Sequence, residues 1–379
     1  MKPTAMSQPR VLLVAPAPPP SGGMAIQARQ LEKLLNADGT PAVLFPSNFT
    51  LTGPLQFLEK VPGLRTLMRA ALIWVKLWKP VRQADVVHVL AASWLYFFVV
   101  VYPAVLLGRA LGKRVVLNYR GGEAGPFFKR YGWAVRPAFR IAGVITAPSE
   151  FLAEMIRARF RTPVSIVPNV LDTSIFRYRQ RTAIRAKMLV TRQLEKIYDI
   201  ESVLKAFRAV QEHHPAASLW IAGTGSQETY LKRLATEWNL KNLRFLGQVE
   251  HRELPAIYDQ CDIYLNASLV DNFPAGLLEA SASGLVVVST APGGIPLLYR
   301  NREEALLVAP GDWEGLARSV ETILADSSLA RVVTRAAAAL PAMCAWRKVR
   351  ESLYQAYGFS YEALPIDDRT QESIQCAGG

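Results

Sequence analysis

The sequence predicts an α/β protein of two domains, each a doubly wound parallel sheet flanked by helices. Three observations carry this reading. Short apolar runs of strand length alternate with helical patterns twice over, on either side of a polar, aperiodic stretch at residues 177–182. Glycine-rich turns follow several of the strand runs, at Gly22-Gly23, Gly223-Thr224-Gly225 and Gly293-Gly294. A chain of 379 residues, half of them hydrophobic, is more than one small core can use.

The first half opens with a buried-strand pattern at 11–15, which breaks at Pro16 and runs through Ser21-Gly22-Gly23 into a helical pattern at 25–35. Strand, glycine turn and helix begin a Rossmann-like unit, although the turn is not G-x-G-x-x-G, which argues against a nicotinamide oxidoreductase. Such a glycine pair lets backbone amides face an anion at the helix start. Further strand patterns fall at 42–45, 85–90, 114–118, 143–147 and 164–167. The loop from Asn118 through Arg120 to Glu123 follows one of them, at the strand end where open sheets bind ligands, and His88 lies late in the preceding strand.

The net charge of +13 belongs to this half: residues 1–180 hold 23 Lys/Arg against 8 Asp/Glu, while residues 181–379 hold 21 against 23. A basic excess suits nucleic acid or an anionic membrane. No zinc-finger, RRM or helix-turn-helix signature is present, so nucleic acid is not expected as a partner. Residues 64–79 instead set Arg65, Arg69, Lys76 and Lys79 at helical spacing, with Leu67, Ala71, Trp74 and Trp78 along another face. That is the pattern of a helix lying on a membrane surface, and residues 127–131 (Phe-Phe-Lys-Arg-Tyr) could add to it. The apolar run at 96–108 is too short to span a bilayer, is broken by Pro103, and reads as a buried helix. Three scattered cysteines form no CxxC pair, and residues 1–10 lack a hydrophobic signal core. Both point to a reducing, cytoplasmic location with no metal site, and the basic helical stretch adds an expected peripheral position on the inner face of a membrane.

In the second half, strand patterns at 187–191, 218–222, 243–246, 263–267 and 286–289 bring polar groups to their carboxyl ends. Arg192 and Lys196 follow the first, Gly223 and Gly225 the second, and the stretch from Asp271 to Glu279 the fourth. In that stretch Phe273, Pro274, Ala275 and Gly276 read as a turn onto a helix N-terminus, with one acid at the mouth and the other inside. Two cations, a helix N-terminus and glycine loops make a site for a diphosphate, and a carboxylate inside the helix can take ribose hydroxyls.

These motifs resemble glycosyltransferase family 4, the GT-B enzymes that retain anomeric configuration. Asp271 to Glu279 is similar to that family's Glu-x7-Glu element, and Gly293-Gly294-Ile295-Pro296 to the pattern after it. Residues 167–172 (Val-Pro-Asn-Val-Leu-Asp) and 147–152 resemble N-domain landmarks, and Arg192 with Lys196 resembles the family's Arg…Lys pair. The resemblance covers about residues 10–358 and implies a GT-B fold: an N-terminal acceptor domain at 10–180, a nucleotide-sugar donor domain at 181–345, and a crossover helix at 346–360 returning to the first domain. Flexible segments are expected at 1–9 and 361–379. It implies transfer of a sugar from a nucleotide-sugar donor to a lipid-linked or glycan acceptor, with no cofactor. Arg192, Lys196 and Asp271 would be catalytic, the cations on the leaving diphosphate and Asp271 on the sugar. Glu279 would hold the ribose, with Gly223, Gly225, Phe273, Pro274, Ala275, Gly276, Gly22 and Gly23 on the donor. Closure of the two domains would exclude water.

Three positions depart from the family pattern. The first acid is Asp271 where Glu is commoner, Leu297 replaces a Glu, and Arg120 stands where the family carries a histidine. An arginine is no base at neutral pH but can stabilise an anion. Acid–base help is then dispensable, or supplied by His88 or Glu123, or catalysis is weak. A GT-B nucleotide-sugar epimerase, and a non-catalytic sugar-nucleotide-binding subunit, are the alternatives.

Overall fold

A computed structural model describes residues 9–18, 22–49, 62–172 and 175–359, the side chains of 62–67 excepted. Almost all of the segment expected to be flexible at 1–9, the whole tail at 361–379, and the side chain of Arg65 lie outside these. The chain forms two compact units, residues 1–170 with 349–379, and residues 171–348.

In chain order the first unit comprises β1 (Val11–Ala15), α1 (Gly23–Ala37), β2 (Ala42–Pro46), α2 (Pro62–Gln83), β3 (Val86–Ala91), α3 (Tyr102–Ala110), β4 (Arg114–Tyr119), α4 (Ala124–Ala142), β5 (Gly143–Ala147), α5 (Glu150–Phe160) and β6 (Ser165–Ile166). Its six strands are all parallel, in the order β2-β1-β3-β4-β5-β6. Because side chains alternate along a strand, one face buries Leu12, Val14, Val87, Val89, Val115 and Leu117 against α2 to α5. α3 lies between α2 and α4 and is preceded by a π-helical turn at Phe97–Val101. The run at 96–108 is thus helical and mostly buried, as its length and Pro103 predict. Phe127 and Phe128, considered above for a membrane surface, are core residues at 0% and 3% exposure. A helix carrying two adjacent phenylalanines onto an aromatic cluster with Phe97, Phe139 and Phe160 has no reason to expose them.

The second unit comprises β7 (Lys187–Thr191), α6 (Ile200–His213), β8 (Ser218–Ala222), α7 (Glu228–Glu237), β9 (Leu243–Gly247), α8 (Leu254–Gln260), β10 (Ile263–Asn266), α9 (Ala275–Ala282), β11 (Val286–Thr290), α10 (Ile295–Leu298), β12 (Leu306–Val308), α11 (Trp313–Ala325) and α12 (Ser327–Ala337). The strand order β12-β11-β10-β7-β8-β9 is again fully parallel. One face packs on α6, α11 and α12, the other on α8, α9 and α10.

The last helix, α13 (Trp346–Tyr357), returns to the first unit. Arg350 Nη1 donates to Asp38 Oδ2 at 3.1 Å, and the hydroxyls of Tyr354 and Thr40 lie 3.0 Å apart. The Tyr357 hydroxyl lies 2.8 Å from His88 Nδ1. Residues 177–182, polar and aperiodic in sequence, are part of the second unit. The Arg181 side chain is buried there; its Nε donates to Asp262 at 2.9 Å, its Nη2 to the Cys261 carbonyl and its Nη1 to the Ser283 carbonyl. Among the described residues no helix is long and apolar enough to cross a membrane.

Candidate active site in the second unit

In a parallel sheet the loops at the carboxyl ends of two adjacent strands part where the strand order reverses, which opens a crevice for ligands. In the second unit this point falls between β7 and β10. The loop after β7 carries Arg192, and the loop after β10 carries Asp271. Their side chains meet in an ion pair, at 12% and 9% exposure. Arg192 Nε also donates to Asn266 Oδ1 at 3.2 Å, and its guanidinium lies over the Tyr198 ring. Burial is the largest effect and opposes the charge on Arg192, but the Asp271 carboxylate together with the phenols of Tyr264, Tyr198 and Tyr258 outweighs it and holds the guanidinium above its ordinary range. A permanently charged, oriented fork therefore stands at the crevice. Lys196 opens a 3-10 turn four residues on and is exposed to solvent.

Asp271 leads through Asn272 and Phe273 to Pro274, which caps α9 in an extended conformation (φ −80°, ψ 101°) without a side-chain cap bond. The N–H groups of the first turn have no partner inside the helix, and no side chain of the cap takes one. Gly276 has a packing reason. A Cβ there would stand 2.3 Å from the Tyr264 hydroxyl and 2.9 Å from Thr191 Oγ1. One turn further in, Glu279 is 7% exposed. Tyr258 Oη donates to Glu279 Oε2 at 2.8 Å, and His251 Nε2 lies 3.5 Å from Oε1. The bond to Glu279 raises the His251 pKa against the opposing effect of burial, favouring the imidazolium. Burial, then the Glu279 charge, pushes the Tyr258 phenol well above its ordinary range, so it stays a donor. Thr191 Oγ1 sits 2.8 Å from Tyr258 Oη and 3.0 Å from Tyr264 Oη, joining the end of β7 to the floor beneath α9.

Gly223 and Gly225 let two loops touch through their backbones. With φ +148° at Gly223, a Cβ would fall 1.9 Å from the Arg192 carbonyl oxygen, and one at Gly225 would fall 2.5 Å from that of Leu194. Their immediate role is to seat the Arg192 loop, which also donates the Leu194 N–H to the Thr224 carbonyl at 3.0 Å.

The residues anticipated on the first unit part company. Gly22 caps α1, and a Cβ added at Gly22 or Gly23 meets nothing within 4 Å, so the helix start is open. Gln27, one turn in, exchanges two hydrogen bonds with the Val170 backbone, and the neighbouring Asn169 accepts from Arg120. Arg120 therefore stands near the α1 start, and burial pulls its pKa down to about 10. Among the described residues no carboxylate pairs with it. Glu123 is exposed and accepts from Trp94 Nε1 at 2.6 Å. The structure removes His88 from the acceptor-side set. It is fully buried under α13, and desolvation, with the Arg120 charge second, lowers its pKa to about 3. A neutral imidazole packed on Tyr357 has no access to a ligand.

Sequence reasoning missed Tyr258 and His251, which meet Glu279 only in space, and Thr191 and Tyr264, which join it through Tyr258. It also missed Asp262, 0% exposed, which binds Arg181, Arg185 and Arg179 and anchors the start of β10. Burial opposes that carboxylate's charge, but bonds from Arg185 and Arg181 prevail and hold its pKa below the usual range.

The chain is similar to several known proteins over most of its length. The chain is 26% identical over 334 residues to a glycogen synthase of Mycobacterium tuberculosis, covering 82% of this chain and 78% of that protein. It is 24% identical over 329 residues to the sulfoquinovosyl transferase SQD2 of Arabidopsis thaliana, covering 80% and 62%. Among solved structures, that of Anabaena HepE in complex with UDP and glucose superposes with a TM-score of 0.71 at 16% identity, over 93% of this chain and 100% of that one. Sucrose-phosphate synthase from Thermosynechococcus elongatus gives 0.71 at 18% identity, over 93% and 98%. Both show the GT-B fold. The sequence model of Glycosyltransferase Family 4 matches residues 21–175, and that of Glycosyl transferases group 1 matches residues 176–339. Spanning both units without a break, these matches show that the chain is a glycosyltransferase of the GT-B type and belongs to glycosyltransferase family 4.

Proposed function

We propose that the enzyme transfers a hexosyl group, with retention of anomeric configuration, from a nucleoside-diphosphate sugar to a lipid-linked or glycan acceptor at the cytoplasmic face of a membrane. The observation that carries this is the Arg192–Asp271 pair at the mouth of α9 with Glu279 one turn inside. A diphosphate at the α9 N-terminus meets backbone N–H groups, Arg192 and Lys196. Those partners grow stronger as the bond from the anomeric carbon to the diphosphate oxygen breaks and negative charge collects there. Glu279, steadied by Tyr258 and His251, is placed to accept from two ribose hydroxyls, and Asp271 from a sugar hydroxyl. Bound nucleotides in neighbours such as HepE, crystallised with UDP and glucose, support the reading.

The acceptor hydroxyl oxygen bonds to the anomeric carbon and loses its proton. With His88 sealed in the core, Arg120 cationic and Glu123 turned to Trp94, the departing diphosphate oxygen is the base we assign. Gly22, Gly23 and Arg120 form an anion-accepting corner of the first unit, fitted to an anionic group such as a phosphate on the acceptor.

The test is a panel of labelled nucleotide sugars with membrane lipid extract and glycan acceptors, the product anomer being read by NMR. Transfer that disappears in Glu279→Ala and Lys196→Ala, with folding intact, is expected. Full turnover in both variants would remove the site assignment. No nucleoside-diphosphate binding at about millimolar concentration would remove the function, and interconversion of donor epimers without transfer would replace it with an epimerase.

A further inference from the structure

Three of the four helices on one face of the first unit's sheet carry a feature the donor site does not use. α2, α3 and α4 together hold ten Lys/Arg and not one Asp or Glu. α2 buries Ile73, Leu77 and Val81 and leaves Trp74, Val75 and Trp78 at 44%, 72% and 48% exposure. Its Lys76 reaches back over the Phe49 ring beyond β2, so the tryptophans, on the opposite flank of the helix, turn toward α3. On α3 and the turn before it, Phe98, Tyr102 and Leu106 are spaced four apart and form one outward stripe, Leu106 at 36% exposure. On α4, Trp133 is 78% exposed, and with Phe98, Tyr102, Ala134 and Pro137 it lines an apolar groove of about 360 Å³.

A solvated helix face does not expose three tryptophans beside a valine, and a contiguous apolar strip of this kind marks a binding surface. Its chemistry selects the occupant. Tryptophan favours the boundary between headgroups and acyl chains, and exposed Lys79, Arg82, Lys129 and Arg130 border the strip. The geometry points to an anionic lipid bilayer docked on α2, α3 and α4, with an acyl segment or lipid tail in the Trp133 groove. This rests on the membrane element of the function proposed above, and it extends the surface from one helix to three. Docking here holds the unit that carries Arg120 at the membrane and confines its search for a lipid-linked acceptor to two dimensions. The strip is independent of the donor site.

The test is co-sedimentation of the full chain with vesicles of phosphatidylcholine containing about one-third phosphatidylglycerol, alongside pure phosphatidylcholine. We expect binding to the anionic vesicles that weakens with salt and falls about tenfold or more in Trp74→Ser/Trp78→Ser and, separately, in Trp133→Ser. Lys79→Glu/Arg82→Glu abolishes the preference for anionic lipid without touching an apolar residue. Nucleoside-diphosphate binding in vesicle-free solution stays unchanged in all variants, which separates loss of docking from failure of the donor site. Binding that ignores all three variants would overturn the inference, as would none to anionic vesicles. So would a concentration-dependent dimer lost in Trp133→Ser, which would make the strip a contact between copies of the chain.

Discussion

Replacing Arg192 with methionine separates the two jobs the structure gives this residue. Its guanidinium and the Asp271 carboxylate are 12% and 9% exposed, so removing one leaves the other desolvated without its counter-ion. Breaking a fully buried pair costs about 3–5 kcal/mol, and the residual exposure here places Arg192→Met near ~3 kcal/mol. In the double variant Arg192→Met/Asp271→Leu no charge is stranded, and stability should return to within ~1 kcal/mol of the native protein. Activity should not return. Losing one donor aimed at developing negative charge costs about 10²–10³ in turnover, and the double variant still lacks it. Denaturant unfolding monitored by circular dichroism gives the first quantity, and initial rates at saturating nucleotide sugar give the second. If the double variant recovers both stability and turnover, or if Arg192→Met alone stays within about threefold of native kcat/KM, Arg192 is a structural residue and the leaving-group argument is wrong.

Gly276→Ala forces a Cβ to 2.3 Å from the Tyr264 hydroxyl and should cost about 1–3 kcal/mol, a loss partly relieved by Tyr264→Phe in the same thermal melt. His88 is held neutral with its pKa near 3, below the unfolded value, so its share of stability is complete above about pH 6.5 and is lost as pH falls toward 3. Between pH 7 and 5 that share amounts to about 2 kcal/mol, and His88→Leu should flatten the measured dependence of unfolding free energy by that amount. Arg120 is desolvated with no carboxylate partner among the described residues, so Arg120→Met should leave stability level or raise it by about 1 kcal/mol while acceptor KM rises. A stability loss with unchanged acceptor kinetics would contradict it.

Much of the fold was legible because its signal is local. Runs such as 187–191 and 218–222 have unbroken apolar centres at 188–190 and 219–222, as a strand covered on both faces requires, and the structure has strands at those residues. The motif from Asp271 to Glu279 was readable as a turn onto a helix because Pro274 and Gly276 act on their own backbone. Gly276 and Gly223 show the limit of that reading. Both suggested room for a ligand, yet a Cβ at Gly276 meets Tyr264 and one at Gly223 meets the Arg192 carbonyl, contacts 12 and 31 residues away in the chain.

Sequence by itself thus determined the alternation of strands and helices, the concentration of positive charge in the first half, and the family motifs. Each depends on neighbours within a few turns of chain. Tertiary structure decided which polar groups share an environment. It set Tyr258 and His251 on Glu279, buried His88 under a helix that arrives from the far end of the chain, and left Arg120 charged with no acid beside it among the described residues. It also lined up tryptophans from two helices, 55 residues apart, beside one apolar stripe. Burial and counter-ion pairing set whether a side chain is charged, neutral or accessible, and both are properties of the packed chain that no local pattern encodes.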